Sequence, residues 1–150
     1  MSSSMPLFNV RVYAIILNEQ QQVLLTDEYQ MDMKMTKFPG GGLQFGEGTI
    51  DCLHREALEE FGQDLQVTGH FYTLDYFQPS LFSSQHQLLS IYYKARFPEP
   101  VRFKTANRPF EGAATLSNGF ISFRWKSLRL LSPDDLTLPV DKKVAEMIAR

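Results

Sequence analysis

A chain of 150 residues is bounded to one domain with room for a real core. Its net charge of −2, with no basic run, argues against nucleic acid as a main partner. The one cysteine, Cys52, leaves no internal disulfide to form and fits a reducing, cytoplasmic setting.

Residues 1 to 6 read as a small polar tail that frays. No charged region precedes the next apolar run, and Arg11 interrupts it, so neither a signal peptide nor a membrane span is expected. Phe8 to Leu17, rich in Val, Ile and Tyr, predicts a strand, with Asn18-Glu19-Gln20-Gln21 as its turn and Val23 to Thr26 as the returning strand. Asp27 to Lys37 reads as a polar loop in which Met31, Met33 and Met35 alternate with Asp32 and Lys34 as half-buried cover.

Pro39 to Leu65 is the stretch that carries chemistry. Gly40, Gly41 and Gly42 allow tight turns and close approach of a ligand to the backbone. A helix follows, and placing its residues about 100° apart puts Ile50, Leu53, Ala57 and Phe61 on one stripe, with His54 and Leu58 beside it. Glu56, Glu59 and Glu60 then share roughly the opposite side, and Cys52 falls with them as a bystander rather than a nucleophile. Gly62 stands where the helix needs a residue of positive φ. Two carboxylates about 4 Å apart repel by roughly 4 kcal/mol at an effective dielectric near 20. Solvent, a shared proton or a bound cation must relieve that repulsion, and all-oxygen ligands favour a hard ion, Mg²⁺ or Mn²⁺. Without the glycines, such a run would read as an ordinary solvated helix face.

Leu65 to Phe77 and Gln85 to Phe97 predict two long strands forming a hairpin with an irregular loop. Apolar residues on both faces of the second (Leu88, Leu89, Ile91, Tyr92, Tyr93 and Phe97) suggest a surface for a second copy, a homodimer. Arg102 to Gly119 reads as a long loop, and loops of that length often cover active sites. Phe120 to Trp125 returns to strand. Ser132-Pro133-Asp134-Asp135 carries a helix-start signal, and a last helix is expected from about Val140 to Ala149. The order suggests an α/β or α+β sandwich with a mixed sheet and helices on both faces.

Gly41, five residues, Glu47, seven residues, then Arg55-Glu56-Ala57-Leu58-Glu59-Glu60-Phe61-Gly62 resembles the signature of the Nudix hydrolases, G-x5-E-x7-R-E-U-x-E-E-x-G-U. Every charged and glycine position agrees. Ala57 and Gln63 stand where bulky aliphatics belong, and both are packing positions. The resemblance implies an α/β/α sandwich and metal-dependent hydrolysis of a diphosphate linkage in a nucleoside diphosphate derivative. It implies Glu56, Glu59 and Glu60 as metal ligands with the Gly41 carbonyl, and Arg55 orienting them through Glu47. Either Glu59 or Glu60 serves as base, or an acid outside the signature does: Glu111 is the better candidate, with Glu99 or Asp75 behind it. Arg108, Lys37 and Arg11 are candidates for phosphate, and Tyr29 or Trp125 for a base. The histidines His54, His70 and His86 have no assigned role. The alternative is a catalytically silent Nudix-like nucleotide-binding domain, against which the intact glutamates argue. An isomerase of prenyl diphosphates would call for a catalytic cysteine in a strand-end pocket, and Cys52 lies inside the helix.

Overall fold

The computed structural model describes residues 7–113 and 115–149, so the tail at residues 1 to 6 lies outside them. The strands are β1 (Leu7–Ile16), β2 (Gln22–Gln30), β3 (Met33–Lys37), β4 (Gly40–Gly42), β5 (Gln66–Thr73), β6 (His86–Arg96) and β7 (Phe120–Ser127). The helices are α1 (Thr49–Phe61) and α2 (Pro139–Ile148), the second preceded by a single 3-10 turn at Pro133–Asp135. The strands form two sheets, and the first is mixed as expected. The first runs β4-β1-β6-β5, with β1 parallel to β6; the second, β3-β2-β7, is antiparallel throughout.

Alternation along β1 explains the layers. Val12, Ala14 and Ile16 pack with Cys52, Leu53, Ala57 and Phe61 of α1, while Tyr13 and Ile15 pack with Val140, Val144 and Ala145 of α2. One helix therefore covers each face, giving the α/β/α sandwich. Both faces of β6 are clothed the same way, Tyr92 on the α2 side and Ala95 on the α1 side. Its double apolar pattern thus marks a central strand and needs no second copy to explain it. Among the described residues no helix is long and apolar enough to cross a membrane.

Two expected loops are strands. Asp27 to Lys37 is the β2–β3 hairpin, turning at Met31 and Asp32 with φ of 51° and 59°. Two successive left-handed residues make the turn whose twist suits a hairpin. Met-Asp lacks the glycine that usually announces it, which hid the turn. Asp32 N is held by Asn118 Oδ1 at 2.9 Å. The glycines form β4, paired with β1 in the register Tyr13↔Gly40 to Arg11↔Gly42.

Beneath the hairpin lies a buried polar network. The fully buried Asp27 accepts from Arg124 Nε at 2.7 Å and from Thr36 Oγ1 at 2.6 Å, tying β2 to β7 and β3. A charge at that depth is tolerable only with its partner in place. Arg124→Leu is therefore expected to cost about 3–5 kcal/mol, read from the denaturant midpoint, because Asp27 is left without its cation. Substituting Asp27 by Val as well should recover part of that loss. A single-variant loss below about 1 kcal/mol, the size of an exposed pair, would show the network to be incidental.

The Arg102–Gly119 segment is anchored at the C-terminal end of α1. Phe103 joins Phe61, Phe97 and Phe123 in an aromatic cluster, with ring centroids 4.7 Å apart for the closest pair. Ala106 N donates to Phe123 O at 2.7 Å. Gln63, polar where the signature wants an aliphatic, is buried and tethers the preceding turn. Its Nε2 donates to Pro100 O at 3.3 Å, and its Oε1 accepts from Arg102 N at 2.8 Å.

Candidate active site

The two sheets, α1 and the start of α2 enclose a cavity of about 550 Å³. Alternate residues of the strands supply its walls: Asn9, Arg11 and Tyr13 from β1, Ser90 and Tyr92 from β6, Glu28 and Lys37 from β2 and β3. Gly40, Gly41 and Gly42 form part of its lining and contribute no side chain.

The missing side chains determine what α1 presents. A Cβ on Gly41 would lie 2.3 Å from Glu56 Oε2, so the Glu56 carboxylate fills the space the glycine leaves. Glu56 and Glu60, one turn apart, both reach the cavity on the inward side of α1. The apolar and acidic faces of α1 are therefore not opposite each other, contrary to the expectation from sequence. Cys52 is fully buried in the core, whereas Ile50, in the first helical turn, is 44% exposed. Glu59 points outward with its side chain 58% exposed, within 3.4 Å of Arg55 Nη1. At 100° per residue Glu60 lies 40° from Glu56 about the axis, but Glu59 lies 60° to the other side, which turns it away.

Arg55 holds this arrangement together. Its Nε and Nη2 donate to the two oxygens of Glu47 at 2.9 and 2.7 Å, a bidentate pair. Nη2 also donates to Gly42 O at 3.0 Å, and Nη1 to Glu56 Oε2 at 2.9 Å. One guanidinium thereby joins the loop, β4 and a cavity carboxylate. The Arg55 hydrogen bonds, with Gln44 N next, pull the Glu47 carboxyl down to about 2. Burial pushes the Cys52 thiol up to about 11, with Glu47 adding to the rise, so it is no nucleophile at neutral pH.

Deeper in, burial pushes the Glu60 carboxyl up to about 8, against the pull of Lys37, with Glu56 adding to the rise. Glu60 Oε2 is buried with no hydrogen-bond partner. Lys37 Nζ lies 3.2 Å from Glu28 Oε2, both side chains nearly buried. Burial disfavours the Lys37 charge, but Glu28 and then Tyr13 outweigh it, and its proton is held more tightly than usual. Arg11 behaves likewise, with Tyr13 and Glu56 as its main supports. Asp141, fully buried at the start of α2, accepts from Tyr92 Oη and from Phe38 N at 3.3 Å, and burial raises its carboxyl to about 6.

Of the residues singled out from sequence, Gly41, Glu56, Glu60, Arg11 and Lys37 meet at the cavity, with Arg55 and Glu47 directly behind it. Glu111 and Arg108 do not line it. Glu111 Oε1 accepts from Asn107 N at 2.9 Å within its own loop, and Arg108 is exposed. Phe103 draws that loop towards Phe61, and of its described residues only Gly119 reaches the cavity. Asp75 is engaged by Tyr72 Oη at 3.2 Å, and Glu99 lines a separate groove with Trp125. Glu28, Asp141 and Tyr92 escaped the sequence reading. The period-two alternation that places Glu28 beside Lys37 becomes visible only once Asp27 to Lys37 is known to be a hairpin.

The donor set fits a hard divalent cation: oxygens only, one of them buried and unpartnered. Among the described residues no three acidic, histidine or cysteine side chains converge closely enough to hold an ion in this arrangement, because Glu59 faces out. Glu59 is also the most exposed of the three signature acids and the freest to turn inward.

In this α/β/α domain the glycine strand and α1, with Glu56 and Glu60, line one cavity between the sheets. The chain belongs to the NUDIX domain family, which it matches over residues 7–149. Similar solved structures include a NUDIX hydrolase from Nitrosomonas europaea (21% identity, TM-score 0.65, covering 92% of this chain and 86% of that one). Another is the MutT protein from Methanosarcina mazei Go1 (21% identity, TM-score 0.63, covering 98% and 96%). A curated relative, the RNA pyrophosphohydrolase of Ruthia magnifica subsp. Calyptogena magnifica, is 40% identical over 55 residues. That stretch spans 37% of this chain and 30% of the relative.

Proposed function

We propose that this chain hydrolyses a diphosphate linkage in a nucleoside diphosphate derivative with the help of a divalent cation, Mg²⁺ or Mn²⁺. The charge balance of the cavity carries the reading. Four acid groups (Glu28, Glu56, Glu60 and Asp141) face only two cations (Arg11 and Lys37) among its described lining residues, and burial lets Glu60 hold its proton up to about pH 8 for want of a further cation beside it. A pocket for a bare anion would be basic; this one accepts a polyanion only when cations accompany it. Glu56 and Glu60, with Glu59 turned in and the Gly41 carbonyl, would hold the ion. The ion would neutralise the diphosphate and lower the pKa of a bound water.

The chain's own residues do the rest. Arg11 and Lys37 bind non-bridging phosphate oxygens, and Arg55 with Glu47 keeps Glu56 aimed. Apolar side chains in its lining (Leu81, Phe82, Leu88 and Ile121) offer a surface for a nucleobase. A volume of about 550 Å³ suits a small nucleotide.

The test is a substrate panel: nucleoside triphosphates, ADP-ribose, NADH, nucleotide sugars, dinucleoside polyphosphates and a 5′-triphosphorylated RNA. Each is assayed with Mg²⁺ and with Mn²⁺. Turnover of at least one small nucleotide is expected, abolished by EDTA and restored by added metal. RNA turned over in preference would move the substrate towards that of the partial relative. Full turnover in a metal-stripped sample, or none with either ion, would overturn the proposal.

A further inference from the structure

Resting on that reading, we infer that Glu28 is a catalytic residue, the carboxylate outside the signature that takes the proton of the attacking water. Four carboxylates line the cavity, and three are committed elsewhere. Both oxygens of Asp141 are occupied, by Tyr92 Oη and Phe38 N. Glu56 is bound by Arg55 and backed by Gly41. Glu60 sits beside it on α1 among the groups assigned to the ion. Glu28 remains.

Its geometry suits the role. It stands on β2, paired on both sides by β3 and β7, so its backbone has none of the freedom of a loop. Its side chain is 12% exposed. Both of its contacts, Lys37 Nζ at 3.2 Å and Thr26 Oγ1 at 3.4 Å, use Oε2. Oε1 has no partner among the described residues and is not enclosed, which leaves a lone pair for a water in the cavity. Lys37, diagonal to Glu28 across the β2–β3 ladder, fixes the carboxylate through Oε2. In the step, the water oxygen bonds to phosphorus, and the bridging P–O bond breaks with its electron pair leaving on the departing phosphate. The water proton passes to Glu28 Oε1 and then to solvent.

Glu28→Gln keeps shape and removes basicity. With the best substrate of the panel, kcat is expected to fall about a hundredfold or more while KM stays within about threefold. Calorimetry with a methylene-bridged, non-hydrolysable analogue should give a Kd within about threefold of the parent's, because binding is untouched. Formate added to Glu28→Ala, which leaves a space the size of a carboxylate, should restore turnover in proportion to its concentration. A Glu28→Gln kcat within about threefold of the parent's would overturn the assignment and leave the hydrolase reading standing. So would a lost Kd with no formate rescue, which would make Glu28 structural. A parent inactive on the whole panel with both metals would instead overturn the hydrolase reading, and this assignment with it.

Discussion

Glu60→Gln should lower kcat by about a thousandfold or more and at the same time stabilise the metal-free protein. The two effects have one cause. Glu60 carries a buried oxygen without a partner, and burial raises its carboxyl to about 8, against an ordinary value of 4.5. The folded protein therefore holds a proton there that the unfolded chain releases. Where the folded state binds more protons, stability falls as pH rises. The loss runs from about pH 4.5, where the unfolded carboxyl ionises, to about 8, where the folded one does. Over that window it amounts to a few kcal/mol on an order-of-magnitude scale. Asp141, raised to about 6 by burial, adds a smaller decline at the lower end. The amide introduced by the substitution cannot ionise, so Tm measured in EDTA should rise near pH 8, and its decline from pH 5 should flatten. Mg²⁺ should raise the Tm of the parent near pH 8 and that of the variant far less. A variant with near-parental kcat, or a parent whose Tm in EDTA rises between pH 5 and 8, would remove Glu60 from the site.

The signature and the sandwich were legible because both depend on local pattern. Thirteen residues of helix with a glycine at the C-terminus, a Ser-Pro-Asp-Asp start and alternating strands carry their own signals. The Ser132 start formed as its sequence implies, with Oγ accepting from Asp134 N at 3.1 Å. What was not legible depended on tertiary partners. Glu56, Glu59 and Glu60 were expected opposite the apolar stripe, yet at 100° per residue Glu60 falls only 20° from Leu53, and bare Gly41 leaves room for Glu56 inside. The 31–32 turn lacks the glycine that usually announces left-handed backbone, so the strand bearing Lys37 and the one bearing Glu28 merged into a loop. Glu111 looked well placed by chain distance alone, and an aromatic anchor at Phe103 carried its loop elsewhere.

The glycine strand offers the sharpest separation of fold from function. Gly40 and Gly41 are adjacent, but an added methyl group meets different neighbours. At Gly40 a Cβ would lie 2.1 Å from Val12 O, and the residue has a φ of +151°. Backbone cannot step aside in a paired strand, so Gly40→Ala should fail to give a stable protein. At Gly41 the methyl would meet Glu56 Oε2 at 2.3 Å and Glu56 Cδ at 2.5 Å, both at the end of a flexible side chain, and no left-handed φ opposes it. Gly41→Ala should therefore fold, with stability within about 1 kcal/mol of the parent, while the Glu56 carboxylate is driven from its place. Activity should fall about a hundredfold or more, because a ligand misplaced by an ångström loses the geometry on which the reaction depends. A double-mutant cycle isolates the cause. If Gly41→Ala acts through Glu56, then adding it to Glu56→Gln should cost little further kcat, since the displaced group is already disabled. Fully additive losses would mean that Gly41 acts through its own backbone and not by making room for the carboxylate.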